Sequence, residues 1–463
     1  MAPLRCESPI DLLPEELLCM IFDLLELENV KDASCTCRRW HDIIFFSDYI
    51  KRFQFKLAVP FLTDKKPVCQ KTLQYIEQHI DAVKHTQRCY RNMNLTIKRT
   101  DADVQSFWNI LHPKITKNIR TLKLTFWSYC TKSAVEAILK EVNEMPALRS
   151  FVVHAYHLPL SFLTIKSATV DHLEMDSWCH FSFDIPQLRT FVGPLRALTQ
   201  PDQPLVFTYL KRLVLTDCAV QLKGRCKLNR LTQVETLELA IHDIEDWLLP
   251  AIHDKYTALR HLYFCTFLRN VDIAILRQLS KFTLLRHLTF RAIQMKDRFP
   301  LDIDFGLSEL TELELLDLGS DVLLDRNLMR LPKSIKYLTL QITSTNEEVV
   351  IETISRNLTG LQKLHLIYQC NPYVEVPKQT MKSICLLKQL EVLVFEFAKF
   401  TESVFLDVEA PMYQMRELLF AFCESDRDLV LEWRQIFPNL KTIQFPLSSP
   451  MFCFRKEIQL DSL

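Results

Sequence analysis

"LRHLYF" (259–264) and "LRHLTF" (285–290) are one six-residue phrase met twice: an apolar residue, two variable ones, an apolar one, a variable one and a last apolar one. In an extended strand alternate side chains face opposite ways, so Leu288 and Phe290 share one face and His287, Thr289 and Arg291 the other. The phrase recurs as IRTLKL from Ile119, LRSFVV from Leu148, VDHLEM from Val170, LKRLVL from Leu210 and VETLEL from Val234. It continues as LTELEL from Leu310, IKYLTL from Ile335, LQKLHL from Leu361, LEVLVF from Leu390, MRELLF from Met415 and LKTIQF from Leu440. LRTFVG from Leu188 is a degenerate copy, and NMNLTI around Leu95 an atypical first one. From Leu210 the starts advance by 24, 25, 26, 25, 25, 26, 29, 25 and 25 residues, a regularity that marks a structural repeat.

Between the copies lie stretches such as 346–358, 271–282 and 427–437, whose apolar residues fall three and four apart, the spacing of a helix buried along one side. Each unit therefore reads as a strand followed by a helix or helical turn. One unit cannot bury its apolar face alone, so neighbours stack their strands into a curved parallel sheet with helices outside. The α/β fold over about residues 90–447 resembles a leucine-rich-repeat solenoid of about fourteen units. The position eight along the phrase holds Cys218 and Cys423, as in the cysteine-containing repeats, but Trp127, Tyr156 and Phe267 in other units.

Composition narrows the function. Lys plus Arg and Asp plus Glu number 56 each, so no bulk charge draws the chain to nucleic acid or an acidic membrane. Five glycines in 463 residues, and no GxGxxG or GxxxxGK, leave no phosphate-cradling loop. The first thirty residues lack a basic leader before an apolar stretch, and no run of about 18 apolar residues occurs, so a cytoplasmic or nuclear location without membrane contact is expected. The 15 scattered cysteines then read as reduced thiols serving as small apolar groups, with no disulfide framework.

Upstream, residues 11–49 hold three short helical patterns: one opened by Pro14, one over about 30–37, and one carrying Trp40, Ile43 and Ile44. The run "LPEELLCMIF" (13–22) followed by "CRRW" (37–40) is similar to the F-box. The matching positions are Leu13, Pro14, Glu16, Leu17, Leu18, Ile21, Phe22, Leu25, Cys37, Arg38, Arg39 and Trp40, with Thr36 where the family commonly has valine. With the repeats behind it, the chain resembles an F-box and leucine-rich-repeat protein. The organisation expected is an F-box at 9–50, a linker or N-terminal cap at 51–89, repeats at 90–447 and a C-terminal cap or tail at 448–463.

That resemblance implies the substrate-recognition subunit of a Skp-cullin-F-box ubiquitin ligase. Leu13, Pro14, Glu16, Leu17, Leu18, Ile21, Phe22, Leu25 and Trp40 would dock a Skp-type adaptor, and through it cullin and RING subunits. The concave repeat face would bind an unknown protein substrate for ubiquitination. The alternative is a repeat-based interaction scaffold that recruits no ligase. Neither reading needs a catalytic residue, cofactor or metal in this chain.

The outward strand positions supply the substrate-binding candidates: Arg212, His261, Tyr263, His287, Arg291, Tyr337, Gln341, Lys363 and His365. They mix aromatic, basic and amide groups of the kind enriched in binding hot spots, set against the plain fact that any such face exposes polar residues. Glu312 and Glu314 are expected on the same face, with apolar spots at Val152, Val192, Val214, Val392, Val394 and Leu419. Two sharper readings are weaker. Cys35, Cys37 and His41 fall short of the four ligands of a structural zinc site. Cys265 between His261 and His287 lacks the orienting third group of a nucleophilic site. The tail is expected to cap the open end of the repeats with Phe452 and Phe454, or else to lie across the concave face.

Overall fold

The computed structural model describes residues 9–59, 78, 81, 83–98, 108–127, 130, 132–156, 163–176, 181–198, 207–216, 231–241, 248–266, 273–292, 306–318, 328–342, 347–368, 374–401, 404, 408, 410–425, 436–446 and 455–459. It divides into two compact units, Met1–Leu210 and Lys211–Leu463. The first opens with helices α1 (Glu15–Asp23), α2 (Leu27–Ser34) and α3 (Arg38–Phe46) and a 3-10 turn at Asp48–Arg52. Eight strands come next: β1 (Gln54–Val59), β2 (Asn92–Ile97), β3 (Thr121–Phe126), β4 (Ser150–Ala155), β5 (Leu163–Lys166), β6 (His172–Met175), β7 (Phe181–Asp184) and β8 (Thr190–Gly193). β1, β2, β3, β4, β6 and β8 form one parallel ladder in that order, while β5 and β7 pair separately. The ladder thus starts at β1, one strand before the first copy of the phrase.

The second unit holds β9 (Arg212–Leu215), β10 (Thr236–Ile241), β11 (His261–Thr266), β12 (His287–Ala292), β13 (Leu315–Leu318), β14 (Tyr337–Gln341), β15 (Lys363–Ile367) and β16 (Val374–Glu375). It continues with β17 (Val392–Glu396), β18 (Ala398–Phe400), β19 (Glu417–Ala421), β20 (Glu424–Ser425), β21 (Thr442–Pro446) and β22 (Arg455–Gln459). β9 to β15, then β17, β19 and β21, stack in parallel, and β16, β18 and β20 make a second small parallel ladder. β22 adds antiparallel to β21, so the tail covers the last edge of the sheet, which would otherwise present unpaired backbone. Phe452 and Phe454 lie outside the described residues.

Helical segments fill the connections as the periodicity predicts: Glu347–Asn357 is α-helical and Ile273–Lys281 is a 3-10 helix, while residues 427–435 lie outside the described residues. The central phrase leucine sets the register. Leu213, Leu237, Leu262, Leu288, Leu316, Leu338, Leu364, Leu393, Leu418 and Ile443 face one another across ten strands, and none is more than 2% exposed. Burying each such side chain is worth about 1.5–3 kcal/mol.

One rung departs from the sequence reading. The strand expected from Leu310 begins instead at Leu315, because "LTELELLDL" holds two overlapping copies of the phrase, and Leu313, Leu316 and Leu318 take the three apolar places of the rung. Leu310 and Leu313 are both fully buried, so hydrophobicity alone does not choose between them. The step from Leu285 is therefore 28 residues rather than 25, and the outward residues are Leu315 and Asp317, not Glu312 and Glu314.

A buried carboxyl lies among the helices of the second unit. Glu347, 1% exposed at the start of its helix, accepts hydrogen bonds at Oε1 from Tyr368 Oη (2.8 Å) and Thr380 Oγ1 (2.7 Å), and its Oε2 has no partner among the described residues. Burial pushes this carboxyl up to about 7, with the Glu348 charge adding to the rise against the two hydrogen bonds. A folded pKa above the unfolded one stabilises below the ordinary carboxylate range, and that stability is lost as pH rises through about 7. Glu347→Gln keeps the acceptor and removes the ionisation. Relative to wild type it should gain on the order of 1–3 kcal/mol at pH 8 over the difference at pH 5 in urea unfolding. Parallel pH profiles for the two proteins would contradict this.

Candidate functional site

The N-terminal helices enclose a small core of Leu18, Phe22, Val30, Ile43, Ile44, Phe45, Tyr49 and Phe53. Cys37 is the N-cap of α3, its Sγ accepting from Trp40 N at 3.5 Å, and Cys35 Sγ donates to Lys31 O at 3.6 Å. The paired cysteines are thus helix-end groups, and among the described residues no three His, Cys, Asp or Glu side chains are placed so that they could hold a metal ion. The Trp40 ring packs edge-on against Phe22 with centroids 5.2 Å apart. Arg39 Nη2 donates to Leu13 O at 2.5 Å, and Arg52 Nη1 reaches Phe22 O and Asp23 Oδ1, each at 2.9 Å. The two arginines therefore fasten the start of α1 to α3 and its end to the 3-10 turn.

This small module rests on the repeats. Arg91 pairs with Asp48, Asn92 Nδ2 donates to Lys51 O at 2.5 Å, and the Arg88 guanidinium lies 3.6 Å over the Phe45 ring. Residues leading into β2 thus brace α3 and the 3-10 turn of a core that is small for a domain of its own.

The candidate docking residues split into two sets. Leu18 and Phe22 are fully buried and belong to the module's own core; Leu13, Ile21, Leu25 and Trp40 are partly buried against it. Pro14, Glu16 and Leu17 are exposed. Leu17 is joined on the surface by Met20 (62% exposed), Leu24 (86%), Leu12 and Leu27, which sequence reasoning missed. Leu17 and Met20 on α1 and Leu24 just past its end fall at helical spacing, so the module exposes an apolar strip.

On the outward face of the second sheet, register puts Arg212, Thr236, His261, His287, Leu315, Tyr337, Lys363, Val392 and Glu417 on one level. The next level holds Val214, Glu238, Tyr263, Thr289, Asp317, Thr339, His365, Val394 and Leu419. Arg212, His261, Tyr263 and His287 come together with Thr236, Glu238, Thr289 and Leu315 around a groove of about 350 Å³. Arg212 Nη2 donates to Glu238 Oε1 at 2.6 Å, which neutralises both. The His261 and His287 rings stack 4.2 Å apart. Burial lowers the pKa of both, the neighbouring His287 lowers that of His261 further, and Glu314 partly offsets the fall at His287. The groove offers hydroxyls, two stacked imidazoles and one internal ion pair.

The other candidates lie elsewhere. Tyr337 and Lys363 continue the outer level beyond Leu315, Gln341 ends β14, and His365 Nε2 meets Glu396 Oε2 at 3.1 Å. Arg291 and Cys265 are paired in register, and their side chains lie outside the described residues. In the first unit, sequence reasoning missed a cluster on the outward face: His154 and His172 approach the two oxygens of Glu174 at 3.6 and 4.0 Å, and Tyr156 beside His154 packs at a tilt against Trp127. The signal was present, since His172 and Glu174 alternate along one phrase.

A family model described as F-box-like matches residues 10–52. None of the curated proteins matches this chain. Among solved structures, a leucine-rich-repeat protein of Leptospira interrogans is similar, at 15% identity over 80% of this chain and 98% of its own, with a TM-score of 0.37. Residues 10–52 are an F-box-like domain, and the repeat architecture behind them stands on the strand register of this chain itself. The match is to an interaction domain and to no catalytic family.

Histidine titration by NMR checks the groove. Both imidazoles should titrate below an ordinary histidine, and His287→Ala should move the His261 midpoint upward because a neighbouring positive charge is removed. An unmoved midpoint would break the coupling between the two rings.

Proposed function

We propose that this chain is the substrate-binding subunit of a Skp-cullin-F-box ubiquitin ligase. The observation that carries the reading is the exposed apolar strip of Leu17, Met20 and Leu24 on an F-box-like domain whose buried core does not include them. Apolar side chains left this exposed fit a permanent docking face, and F-box domains generally dock Skp-type adaptors. The adaptor would bring cullin and RING subunits, so the chain would act by proximity, holding a protein substrate on the outward sheet faces near the charged conjugating enzyme. Such a role needs only recognition residues.

The test is co-purification of a Skp-type adaptor with the full chain. Leu17→Asp combined with Leu24→Asp should abolish it while leaving the melting temperature within a few degrees, because Leu24 is 86% and Leu17 44% exposed and neither belongs to the buried core. Phe22→Ala should abolish it together with the module's fold, at a cost of about 3–5 kcal/mol. Full adaptor recovery with the Leu17/Leu24 variant would remove the ligase reading and leave an interaction scaffold.

A further inference from the structure

The residue just before each strand makes a level of its own at the strand starts. In the first unit its backbone N–H donates to the carbonyl of the equivalent residue on the preceding rung: Arg120 to Arg91, Arg149 to Arg120, Asp171 to Arg149 and Arg189 to Asp171. In the second unit the same level mixes signs, and its charges close on one another. Lys211 Nζ lies 2.8 Å from Glu235 Oε1, Lys336 Nζ 3.3 Å from Glu314 Oε2 and Arg416 Nε 3.7 Å from Glu391 Oε2, each pair on adjacent rungs.

The first unit does the opposite. Arginine stands before three consecutive strands, β2, β3 and β4, and again before β8. Neighbouring strands are about 4.8 Å apart, so like charges on successive rungs repel. Arg91 is neutralised by Asp48 of the 3-10 turn. Arg149 donates through Nη1 to Thr169 O at 3.0 Å, a neutral partner that fixes the guanidinium without cancelling its charge. The Arg120 and Arg189 side chains are exposed and have no hydrogen-bond or ion-pair partner among the described residues. Asp171, on the rung between Arg149 and Arg189, pairs with neither. The first outward level beside these residues holds Thr121, Ser150, His172 and Thr190, none of them a carboxylate. The level after it carries Lys123 and Glu174, and Glu174 is already faced by His154 and His172. Stability alone would pair these charges, as the second unit does. The first unit instead keeps three guanidiniums around one carboxylate, a fixed pattern that lacks its complement.

We propose that this edge of the first unit binds an acidic segment of a partner polypeptide laid across the strand starts. Its carboxylates meet Arg120, Arg149 and Arg189, and a basic or uncharged residue lies over Asp171. Guanidinium suits the role because its planar fork pairs a carboxylate through two parallel hydrogen bonds. Arg120 and Arg189 are three rungs apart, about 14 Å, which about four extended residues span. Asp171 is the rejecting element: it repels an unbroken run of negative charge, so the site disfavours a nucleic acid, whose phosphates follow one another without a gap. The segment belongs to the substrate if the ligase reading holds, but its binding requires no adaptor.

The experiment uses the full chain alone and three fluorescein-labelled octapeptides of Ser and Gly, read by anisotropy at low salt. The first carries two adjacent Glu, then a Lys, then a third Glu; the second has every sign reversed; the third has Glu in all four places. Wild type should bind the first about tenfold more tightly than the second and no more weakly than the third, with affinity falling as salt is added. Arg120→Glu combined with Arg189→Glu should abolish binding of the first peptide and admit the second, at an unchanged or raised melting temperature. Asp171→Lys should make the all-Glu peptide the preferred one. Equal binding of the first two peptides, or preference of wild type for the all-Glu peptide or for oligouridylate, would overturn the proposal. So would full binding by the Arg120/Arg189 variant, or lost binding together with a fall in melting temperature, since the arginines would then serve the fold. Adaptor recovery through Leu17 and Leu24 is read separately, so either reading can fail while the other stands.

Discussion

In the second unit one leucine level runs through ten strands, from Leu213 to Ile443, and each member touches its neighbours rather than solvent. Backbone ladders hold the strands side by side, but a parallel ladder alone does not decide which side chains go in. The leucine level decides it, because a slip of one residue would turn every buried side chain outward. The first unit repeats the arrangement with Met93, Leu122, Phe151, Leu173 and Phe191, all fully buried. No rung can satisfy its apolar face by itself, so the stability of each depends on the next.

The same constraint frees the other face. Once positions one, four and six of the phrase are committed to packing, the intervening side chains are open to whatever recognition requires. That is how His261 stacks on His287 and how His154 and His172 flank Glu174 without disturbing the core. At the N-terminus the division is similar on a smaller scale. Leu18 and Phe22 hold the helices together, which leaves Leu17, Met20 and Leu24 for another surface.

The phrase made the α/β repeat legible from the sequence, and the Leu-Pro and Cys-Arg-Arg-Trp runs made the N-terminal module legible. What the sequence concealed has physical reasons. Apolar residues surround α1 so completely that spacing did not show which of Leu17, Leu18, Met20, Ile21 and Phe22 face inward. Leu310 and Leu313 are equally buried, so the regular 25-residue step hid a longer unit followed by a shorter one. β1 has no full phrase, and only its pairing with β2 reveals it. The left-handed Phe397 and Phe422 carry no sequence signal at all, since their conformation is one that local preference disfavours.

The central claim is that the chain has two separate recognition surfaces, one on the N-terminal helices and one on the outward sheet faces. Hydrogen–deuterium exchange of the full chain with and without a Skp-type adaptor tests it most directly. The account predicts added protection confined to the helices around residues 12–27, with unchanged exchange in the strands from β9 to β21. Protection over those strands, or none over the helices, would contradict it.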